Sequence, residues 1–415
     1  MSRAFLSSTD SPRLTRYVRW GFALSLVFMF GCAACTPRHV STDDATNIIE
    51  KSDITDSVSR LVDSVISVIT TEKKAAQFFM PAVYASSDPY TLARIKEYAR
   101  KGVGGIILLK GDAKSARIIA DSMERWSKIP PFIAIDAEWG LAMRLKDTPK
   151  FPMNSRIAED TDEETMFEYG RELARECRRT GINMILGPVL DVTGEESYIG
   201  KRSFGNDPER VADFAIAYAR GLESGNVASV AKHFPGHGAA KGDSHRRKPS
   251  IDRSLQSLDS IDLRPFRRYI EQRLSGIMIG HLAFPAIDPD MLPAAVSKPV
   301  IDDLLRTDMG FVGLVLTDAM NMLGAEGYGS DMAISAGADM ILAPADTDTE
   351  IQKVLDAVGR KKITDAEIDS HLRRILFKKF LLKYDGTQET YDPDNIERDL
   401  NSREAARLNE KLNRR

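Results

Sequence analysis

The chain alternates between short apolar runs and longer segments in which apolar residues recur at helical spacing. The short runs are near-continuous, which is typical of parallel strands that are covered on both faces. They predict strands at Ala75–Ala82, Gly105–Leu109, Phe132–Ile135, Asn183–Leu186, Val227–Ala231, Gly276–Ile279, Val312–Thr317 and Met340–Leu342. The longer segments predict helices at Tyr90–Arg100, Ala113–Trp126, Glu163–Arg179, Pro208–Glu223, Leu255–Glu271 and Ile363–Leu382.

Eight strand–helix units over about 300 residues predict an α/β fold, and specifically a single (β/α)8 barrel of the TIM type. A doubly wound open sheet is the alternative arrangement of the same units. The 415 residues are enough for one large α/β domain or two smaller ones. The sequence becomes polar and charged from Tyr384 onward.

The N-terminal stretch has the pattern of an export signal. Arginine residues precede Trp20–Gly31, an uncharged and mostly apolar run that is too short to span a bilayer comfortably. The run ends in GCAAC, which resembles a bacterial lipoprotein signal and offers Cys32 or Cys35 for lipid attachment. We therefore expect residues 1–35 to be a signal peptide of the lipoprotein type. An uncleaved anchor, or cleavage near Ala34, is the alternative.

Composition divides the rest of the chain. Residues 36–60 are polar and rich in Thr, Ser and Asp, which predicts a tether, and the predicted barrel occupies residues 61–385. Residues 386–415 predict a polar tail in which Asn401–Arg415 forms a solvated helix. Cys177 is the only cysteine beyond the signal, so we expect no disulfide framework and interpret it as a small buried residue.

The overall composition is that of a soluble globular protein, with 43% hydrophobic residues, 28% charged residues and a net charge of −3. No long basic block appears outside the N-terminus. This near-neutral balance argues against nucleic acid as a partner. Function must therefore be inferred from motifs.

One stretch, Ala231–Lys248, concentrates ionisable side chains. It reads AKHFPGHGAAKGDSHRRK and contains three of the six histidines, namely His233, His237 and His245. A proline and several glycines prevent regular structure after the strand that delivers the first of these histidines, so the remainder is a loop. Such a density of ionisable groups beside glycine hinges, at the end of a strand, favours an active-site edge over an ordinary surface loop.

Polar side chains also follow other predicted strands. In a (β/α)8 barrel the catalytic residues lie at the carboxyl ends of the strands. These ends carry Asp136, Lys232 with His233, His281 and Asp318. A single aspartate after a strand is often only a helix cap, but acidic and basic groups after four separate strands indicate a site.

These motifs resemble glycoside hydrolase family 3, and in particular its β-N-acetylhexosaminidase branch. That branch carries KHFPGHG followed shortly by DSH, and this chain has KHFPGHG at 232–238 and DSH at 243–245. Further segments similar to the family follow the family's order: TTEKKAAQFFM at 70–80, IDAEWGLAMRL at 135–145, GPVLDV at 187–192, KRSFGNDP at 201–208 and VLTDAMNM at 315–322. The resemblance covers roughly residues 65 to 385 and implies a barrel that hydrolyses glycosidic bonds. Many members of the family continue into a second α/β domain after the barrel, and we expect no second α/β sandwich domain in this chain.

The resemblance also implies roles for individual residues. Asp318 matches the family's nucleophile, and Asp243 with His245 matches its acid/base dyad. The implied sugar-binding residues are Asp136, Arg144, Arg202, Lys232 and His233. The chain departs from the family pattern at Trp139, where the family usually has a glycine.

The residue types suit this chemistry independently of the family. A retaining glycosidase needs a nucleophilic carboxylate and a proton donor that later becomes a base. Asp318 can attack the anomeric carbon, and a histidine such as His245 is available in both protonation states near neutral pH. Asp243, two residues earlier in the same loop, can accept the ring N–H of His245 and orient it.

Other functions stay open on the sequence alone. Metal-assisted hydrolysis could use His233, His237, His245 and Asp243 as ligands, although the Pro-Gly pair between the first two prevents them from sharing a helical face. A β-glucosidase, a phosphorylase that cleaves the same bond, and a non-catalytic sugar-binding lipoprotein are the remaining alternatives.

The interpretation that the resemblance favours is a retaining, exo-acting β-N-acetylhexosaminidase. It would remove terminal β-linked N-acetylglucosamine, with peptidoglycan-derived fragments such as muropeptides as the expected source. We expect no cofactor and no metal. The expected partners are a carbohydrate and, through the lipid anchor, a membrane, which places the protein outside the cytoplasm on the periplasmic or outer-surface side.

Overall fold

The computed structural model describes residues 42–193, 197–240, 250–384 and 393–413 of the chain. The chain separates into two units, Met1–Lys51 and Ser52–Arg415, and only the second is described over most of its length. Within the described ranges no helix combines the length and the apolar character needed to cross a membrane. The predicted signal peptide at residues 1–35 lies outside these ranges.

Parallel strands form the centre of the second unit. They are β1 (Phe79–Met80), β2 (Ala82–Ala85), β3 (Gly105–Gly111), β4 (Phe132–Ile135), β5 (Met184–Ile185), β6 (Ala228–Phe234), β7 (Gly276–Ile279), β8 (Leu314–Thr317) and β9 (Ile341–Leu342). In the described part of the chain, β2 to β8 form a seven-stranded sheet whose spatial order follows the sequence, and β1 pairs with β9. These pairings are parallel, so the predicted α/β architecture is confirmed.

Helical segments connect the strands, as parallel pairing requires. The α-helices are α1 (Thr42–Val68), α2 (Thr71–Ala76), α3 (Pro89–Lys101), α4 (Ala113–Trp126), α5 (Asn154–Asp160), α6 (Glu163–Thr180), α7 (Pro208–Ser224), α8 (Leu255–Ser257), α9 (Arg264–Glu271), α10 (Ser330–Ser335), α11 (Thr347–Gly359), α12 (Asp365–Tyr384), α13 (Ile396–Leu400) and α14 (Arg403–Leu412). Two π-helical segments, Leu258–Asp262 and Pro299–Asp308, complete the connections around β7.

Local sequence signals fix the helix ends. At the start of α3 the Asp88 side chain accepts the backbone N–H groups of Tyr90 and Thr91, while Pro89 takes the first helical position. The helix ends at Gly102, whose φ of 80° lies in the left-handed region that glycine adopts without strain. Helix α6 is bounded in the same way by an aspartate cap and a left-handed glycine. These end signals explain why the helical segments were predictable.

Burial of the strands explains their continuous apolar sequences. Every residue of β4 and of β6 is buried, because helices cover the outer face and neighbouring side chains fill the inner one. Even Lys232 and His233, at the end of β6, are only 2% and 6% exposed. The core is therefore a rigid support, and the carboxyl ends of its strands hold the polar residues described below.

The first predicted strand is interrupted. The sequence predicts one strand at Ala75–Ala82, but helix α2 continues to Ala76 and Pro81 separates β1 from β2. Proline has no N–H group to donate to a strand ladder, which accounts for the break. The strand prediction was therefore wrong for the first residues of this run and right for the last.

Both ends of the described chain are more structured than their composition indicates. Helix α1 includes most of residues 36–60, the predicted tether, and its Val58 and Val62 are buried. The segment Asn401–Arg415 was expected to be solvated, but α14 packs on α6 and buries Ala405, Leu408 and Leu412. That expectation was wrong because three apolar residues at helical spacing make a narrow stripe in a mostly charged sequence.

Candidate active site

A cavity of about 380 Å³ opens where β4, β6 and β8 end. Its polar lining residues are Asp136, Glu138, Arg144, Tyr198, Arg202, Lys232, His233, His237, Asp318 and Asn321. The apolar part of the wall includes Ala82, Ile107, Leu109, Trp139, Met143, Met278, Met322 and Leu342. The volume and the mixed lining are those of a small-molecule site.

Asp136, directly after β4, is held between two cations. Its Oδ1 accepts from Lys232 Nζ at 2.9 Å and its Oδ2 accepts from Arg144 Nη2 at 2.6 Å. Burial by itself would raise the pKa of Asp136, but Lys232 and Arg144 more than offset this and hold the pKa below its usual value. The carboxylate is therefore ionised, with its cations already in place before any ligand binds.

Glu138 ties two of the predicted sugar-binding residues together. Both of its oxygens accept from Arg202, at 2.8 Å each, and Oε1 also lies 2.8 Å from Lys232 Nζ. Its side chain is 1% exposed. Burial opposes ionisation, yet Lys232 and Arg202 lower the pKa of Glu138 far below its usual range. This bidentate pairing fixes the Arg202 guanidinium, because a planar guanidinium matches both oxygens of a carboxylate.

Lys232 stands between Asp136 and Glu138 and compensates both. Burial alone would lower the pKa of Lys232, but the two carboxylates outweigh that effect and raise it. The ammonium group is thus charged in a nearly inaccessible position. Two carboxylates and three cations form one connected network on this side of the cavity.

His233 has a buried carboxylate behind it. Its Nδ1 lies 2.7 Å from Asp191 Oδ2, and its Nε2 lies 3.4 Å from Arg202 Nη2. Asp191 is fully buried, and its Oδ1 also accepts the backbone N–H groups of His233 and His237. Burial would raise the pKa of Asp191, but His233 and His237 together with these hydrogen bonds lower it.

Asp318 lies one residue beyond β8, and it is held by one backbone and one side-chain hydrogen bond. Its N–H donates to Ile279 O at 2.8 Å, and its Oδ1 accepts the N–H of Ala319 at 2.8 Å. Burial is the largest effect and would raise the pKa of Asp318, but the rings of His233 and His281 and the Ala319 N–H bring it below the usual value. The group is an ionised carboxylate that lines the cavity.

His237 is the second cavity-lining histidine of the motif. Its ring lies 5.6 Å from the His233 ring and 5.5 Å from the Tyr198 ring, measured between centroids. Burial, followed by the neighbouring His233, lowers the pKa of His237 to about 4. At neutral pH this imidazole is therefore uncharged, and its place in the cavity wall is that of a neutral polar group.

The structure brings together most of the described residues that the sequence analysis selected for the site. His281, the strand-end histidine after β7, does not line the cavity, and its Nε2 lies 3.2 Å from the backbone oxygen of Ala319. Asp318 and the five predicted sugar-binding residues line the same cavity, although they come from four different strand ends and their loops. Asp243 and His245, the predicted dyad, lie outside the described residues. Trp139, where the chain departs from the family pattern, is half-buried in the cavity wall.

Sequence reasoning missed residues that support this group. Glu138 lies in the IDAEWG segment. Asp191 lies in the GPVLDV segment and contacts the ring of His233 in the structure. The sequence analysis gave neither residue a role. Both are single carboxylates next to apolar residues, and no spacing rule links them to partners 94 or 42 positions away. Their place inside quoted motifs was the one available signal.

The alternative of a metal site is not supported by the described geometry. Across residues 42–193, 197–240, 250–384 and 393–413, no three His, Cys, Asp or Glu side chains are grouped as a metal site requires. Asp243 and His245, two of the ligands considered for that alternative, fall in the gap after residue 240. The alternative is therefore untested for a site that includes them.

Comparison with known proteins agrees with the geometry. A Beta-hexosaminidase of Nitrosomonas eutropha is 35% identical over 287 residues, which cover 65% of this chain and 82% of that protein. A Beta-hexosaminidase of Chromobacterium violaceum is 35% identical over 256 residues, covering 58% of this chain and 71% of that protein. A solved structure of a glycoside hydrolase family 3 beta-N-acetylglucosaminidase from Paenibacillus sp. str. FPU-7 superposes with a TM-score of 0.77 at 29% identity, covering 83% of this chain and 68% of that one.

The family itself is identified by a match over most of the chain. The model of the glycosyl hydrolase family 3 N terminal domain matches residues 70–377, which contain the complete described cavity. The resemblance drawn from the KHFPGHG and DSH motifs is thereby confirmed. The chain belongs to glycosyl hydrolase family 3.

Proposed function

We propose that this protein is a retaining, exo-acting β-N-acetylhexosaminidase that releases terminal β-linked N-acetylglucosamine. The observation that carries the proposal is the pairing of one ionised, cavity-lining carboxylate, Asp318, with a separate charged network that suits sugar hydroxyls. Relatives named Beta-hexosaminidase, and a structural neighbour named as a beta-N-acetylglucosaminidase, support the same substrate.

Asp318 acts as the nucleophile in this proposal. No cation pairs directly with it among the described ion pairs, so its lone pairs face the cavity rather than a salt bridge. Nucleophilic attack on the anomeric carbon gives a glycosyl-enzyme, and its hydrolysis restores the β-configuration. A low pKa keeps Asp318 ionised throughout the neutral range.

The proton donor is assigned from the sequence motif. His245 protonates the leaving oxygen in the first step and then removes a proton from the incoming water in the second. Asp243 accepts the ring N–H of His245 and stabilises its charged form. Asp243 and His245 belong to the segment 241–249, which lies outside the described residues. The described residues on either side of it are held in place: Gly238 packs against Val192, and the Ile251 N–H donates to Ala283 O at 2.9 Å.

The binding side of the cavity is assigned to the network around Lys232. Asp136, Lys232 and Arg144 present acceptors and donors that a pyranose hydroxyl can share without rearrangement of the protein. Charged hydrogen bonds of this kind are about twice as strong as neutral ones, and a preformed network loses little entropy on binding. His233 and Arg202 line the same cavity as Asp318.

We also propose that the parallel strands form a closed (β/α)8 barrel. Thr317 at the end of β8 donates its N–H to Met340 O at 2.9 Å, beside β9. Strand β9 pairs with β1, and the chain passes from β1 into β2 across Pro81. These links support a sheet that closes on itself, with Phe79–Ala85 as one interrupted strand.

Location and natural substrate are proposed from the sequence alone. The apolar run Trp20–Gly31 followed by GCAAC favours an exported lipoprotein. An exo-acting hexosaminidase anchored outside the cytoplasm would meet peptidoglycan-derived fragments, including muropeptides, as its source of N-acetylglucosamine. In this proposal the membrane is a partner through the attached lipid.

A panel of p-nitrophenyl β-glycosides, assayed with and without phosphate and with and without a chelator, tests the proposed function. We expect the highest kcat/KM on the N-acetyl-β-D-glucosaminide, no dependence on phosphate, and no effect of the chelator. Proton NMR should show the β-anomer as the first product. Preference for the β-glucoside, a requirement for phosphate, or first release of the α-anomer would each overturn the corresponding part of the proposal.

A further inference from the structure

We propose that Asp191 is a positioning residue that sets the tautomer of His233, so that Nε2 of His233 faces the cavity as a hydrogen-bond acceptor. The effect on turnover rests on the proposed glycosidase function. The tautomer itself does not, because it follows from contacts within the protein.

Asp191 makes three contacts that fix its own orientation. Its Oδ1 accepts the His237 N–H at 2.7 Å and the His233 N–H at 3.3 Å, while its Oδ2 lies 2.7 Å from His233 Nδ1. Its side chain is completely buried, so no water competes for these positions. An ionised carboxylate can only accept hydrogen bonds, and therefore His233 Nδ1 carries a proton.

The other ring nitrogen of His233, Nε2, faces a hydrogen-bond donor, whereas Nδ1 faces the acceptor Asp191. Nε2 lies 3.4 Å from Nη2 of Arg202, and a guanidinium can only donate. A proton on Nε2 would place two donors against each other. Asp191 on one side and Arg202 on the other thus select the same form: Nδ1 protonated, with the lone pair of Nε2 directed toward Arg202 and the cavity that both side chains line.

This tautomer gives the cavity an acceptor that its cations do not provide. Lys232, Arg144 and Arg202 can only donate, and Asp136 already accepts from two of them. The contact between His233 Nε2 and Arg202 Nη2 is long, at 3.4 Å, so a substrate hydroxyl that approaches more closely can replace Arg202 as the donor to this lone pair. Asp191 does not line the cavity, so it acts through His233.

Replacing Asp191 by asparagine reverses this arrangement. The two backbone N–H groups on Oδ1 require an oxygen at that position, so the amide nitrogen takes the place of Oδ2. An amide nitrogen donates, which forces His233 Nδ1 to become the acceptor and moves the ring proton to Nε2. Nε2–H then opposes the Arg202 guanidinium and no longer accepts from a ligand.

The experiment combines a spectroscopic and a kinetic measurement on the full chain. Long-range ¹H–¹⁵N NMR of histidine-labelled protein, with His233 assigned from the His233→Ala spectrum, should show Nδ1–H in the wild type and Nε2–H in Asp191→Asn. For kinetics, kcat/KM on an N-acetyl-β-D-glucosaminide is measured for wild type, Asp191→Asn, His233→Ala and the double variant. We expect Asp191→Asn to lower kcat/KM by roughly 10–100-fold, by analogy with metal-bound histidines that lose the hydrogen-bond partner of their other ring nitrogen.

In the His233→Ala background, Asp191→Asn should lower kcat/KM by less than about 3-fold, since a positioning residue has no effect without the residue that it positions. Equal losses in both backgrounds would overturn the proposal. So would Nε2–H in the wild-type spectrum, a result that needs no variant to fold. If the wild type lacks glycosidase activity altogether, the proposed function fails while the NMR measurement still decides the tautomer.

Discussion

At the residue scale, the distinguishing feature of Asp318 is the absence of a direct cationic partner among its described contacts. The other cavity carboxylates, Asp136 and Glu138, each accept from two cations at 2.6–2.9 Å. Asp318 instead accepts one backbone N–H, from Ala319. A carboxylate bound by cations is a poor nucleophile, so the cavity separates residues that bind from the residue that attacks.

Asp318→Asn should lower kcat by at least about 10³-fold, because it removes the covalent nucleophile while keeping the side-chain shape. The thermal midpoint should change little, because the amide oxygen of the substituted side chain can still accept the Ala319 N–H. Trapping with a fluorosugar followed by peptide mass spectrometry should place the label on Asp318 in the wild type. Asp303→Asn, on the exposed side of the segment before β8, serves as the control with unchanged activity.

Asp318 should not contribute the acidic limb of the pH profile in the usual carboxylate range, because its pKa is lowered. A group with a depressed pKa stays ionised until the pH falls through that lower value. In the trapping and kinetic experiments, recovery of the fluorosugar label on another peptide, or wild-type rates in Asp318→Asn, would contradict the assignment of Asp318 as the nucleophile.

His245→Ala should have unequal effects on two classes of substrate. A nitrophenolate leaves almost without protonation, so the first step on an aryl glycoside should slow less than the same step on a disaccharide. General acid help is typically worth about 10²–10⁴-fold, which sets the expected loss on the disaccharide. A glycosyl-enzyme should accumulate with the aryl substrate, and added azide should release it.

The measurement for His245 is the ratio of kcat/KM losses on the two substrates. Asp243→Asn should reproduce much of the defect, because it disturbs the orientation of the ring without removing it. Matching losses on both substrates, with no rescue by azide, would reduce His245 to a binding contact.

At the element scale, helix α6 carries an unexpected buried carboxyl group. Glu176 is fully buried on the face that includes Tyr169 and Cys177, and neither of its oxygens has a hydrogen-bond partner within the described residues. Burial, followed by repulsion from Glu172, raises the pKa of Glu176 well above its usual value. The helix tolerates this residue because the neutral acid is far less costly to bury than the carboxylate.

Glu176→Gln should change the pH dependence of stability. The wild-type folded state keeps the proton on Glu176 while the unfolded state releases it above its ordinary pKa of 4.5, so stability falls as the pH rises beyond that value. Glutamine has no such proton. The free energy of unfolding of the variant relative to wild type should therefore increase with pH, by up to about 1.4 kcal/mol for each unit of raised pKa.

Urea unfolding at pH 4, 6 and 8 measures this difference for Glu176→Gln. Glu164→Gln, at an exposed position of the same helix, is the matched control and should give a constant difference. A constant difference for Glu176→Gln as well would mean that the group is ionised in the folded protein.

At the scale of the whole molecule, the question is how the protein is attached to the membrane on whose outer side we propose that it acts. The described residues include no helix suited to crossing a membrane. The expected attachment is through the N-terminal sequence, where Cys32 and Cys35 follow Trp20–Gly31. Attachment through a lipid requires no spanning helix.

Metabolic labelling with a radioactive fatty acid should mark the wild-type protein, and a single substitution, Cys32→Ser or Cys35→Ser, should abolish the label. The double substitution is the control for labelling elsewhere, since Cys177 is buried. Unlabelled wild-type protein in the membrane-free fraction would contradict lipidation, whereas export would be tested by protease accessibility in whole cells.

Much of the fold can be predicted from the residue pattern. Strands β4 and β7 have the predicted bounds, because buried parallel strands must be continuously apolar and their flanking residues are not. The interruption at Pro81 and the packing of α14 were less predictable. Pro81 is a local signal for the interruption, but the formation of a strand at Phe79–Met80 depends on its distant partner β9, and the packing of α14 depends on α6.

In the site, too, some features were predictable from the sequence and others depend on contacts between distant residues. The residue pattern was sufficient to identify the chemistry that is present: a nucleophile candidate at a strand end, a histidine-rich loop and the residues of the family motifs. That Glu138 joins Arg202 to Lys232, and that Asp191 stands behind His233, emerged from the folded arrangement. Side chains within a few residues of each other are constrained by local geometry, whereas a buried carboxylate takes its role from whichever cation or ring the fold places within about 3 Å of it.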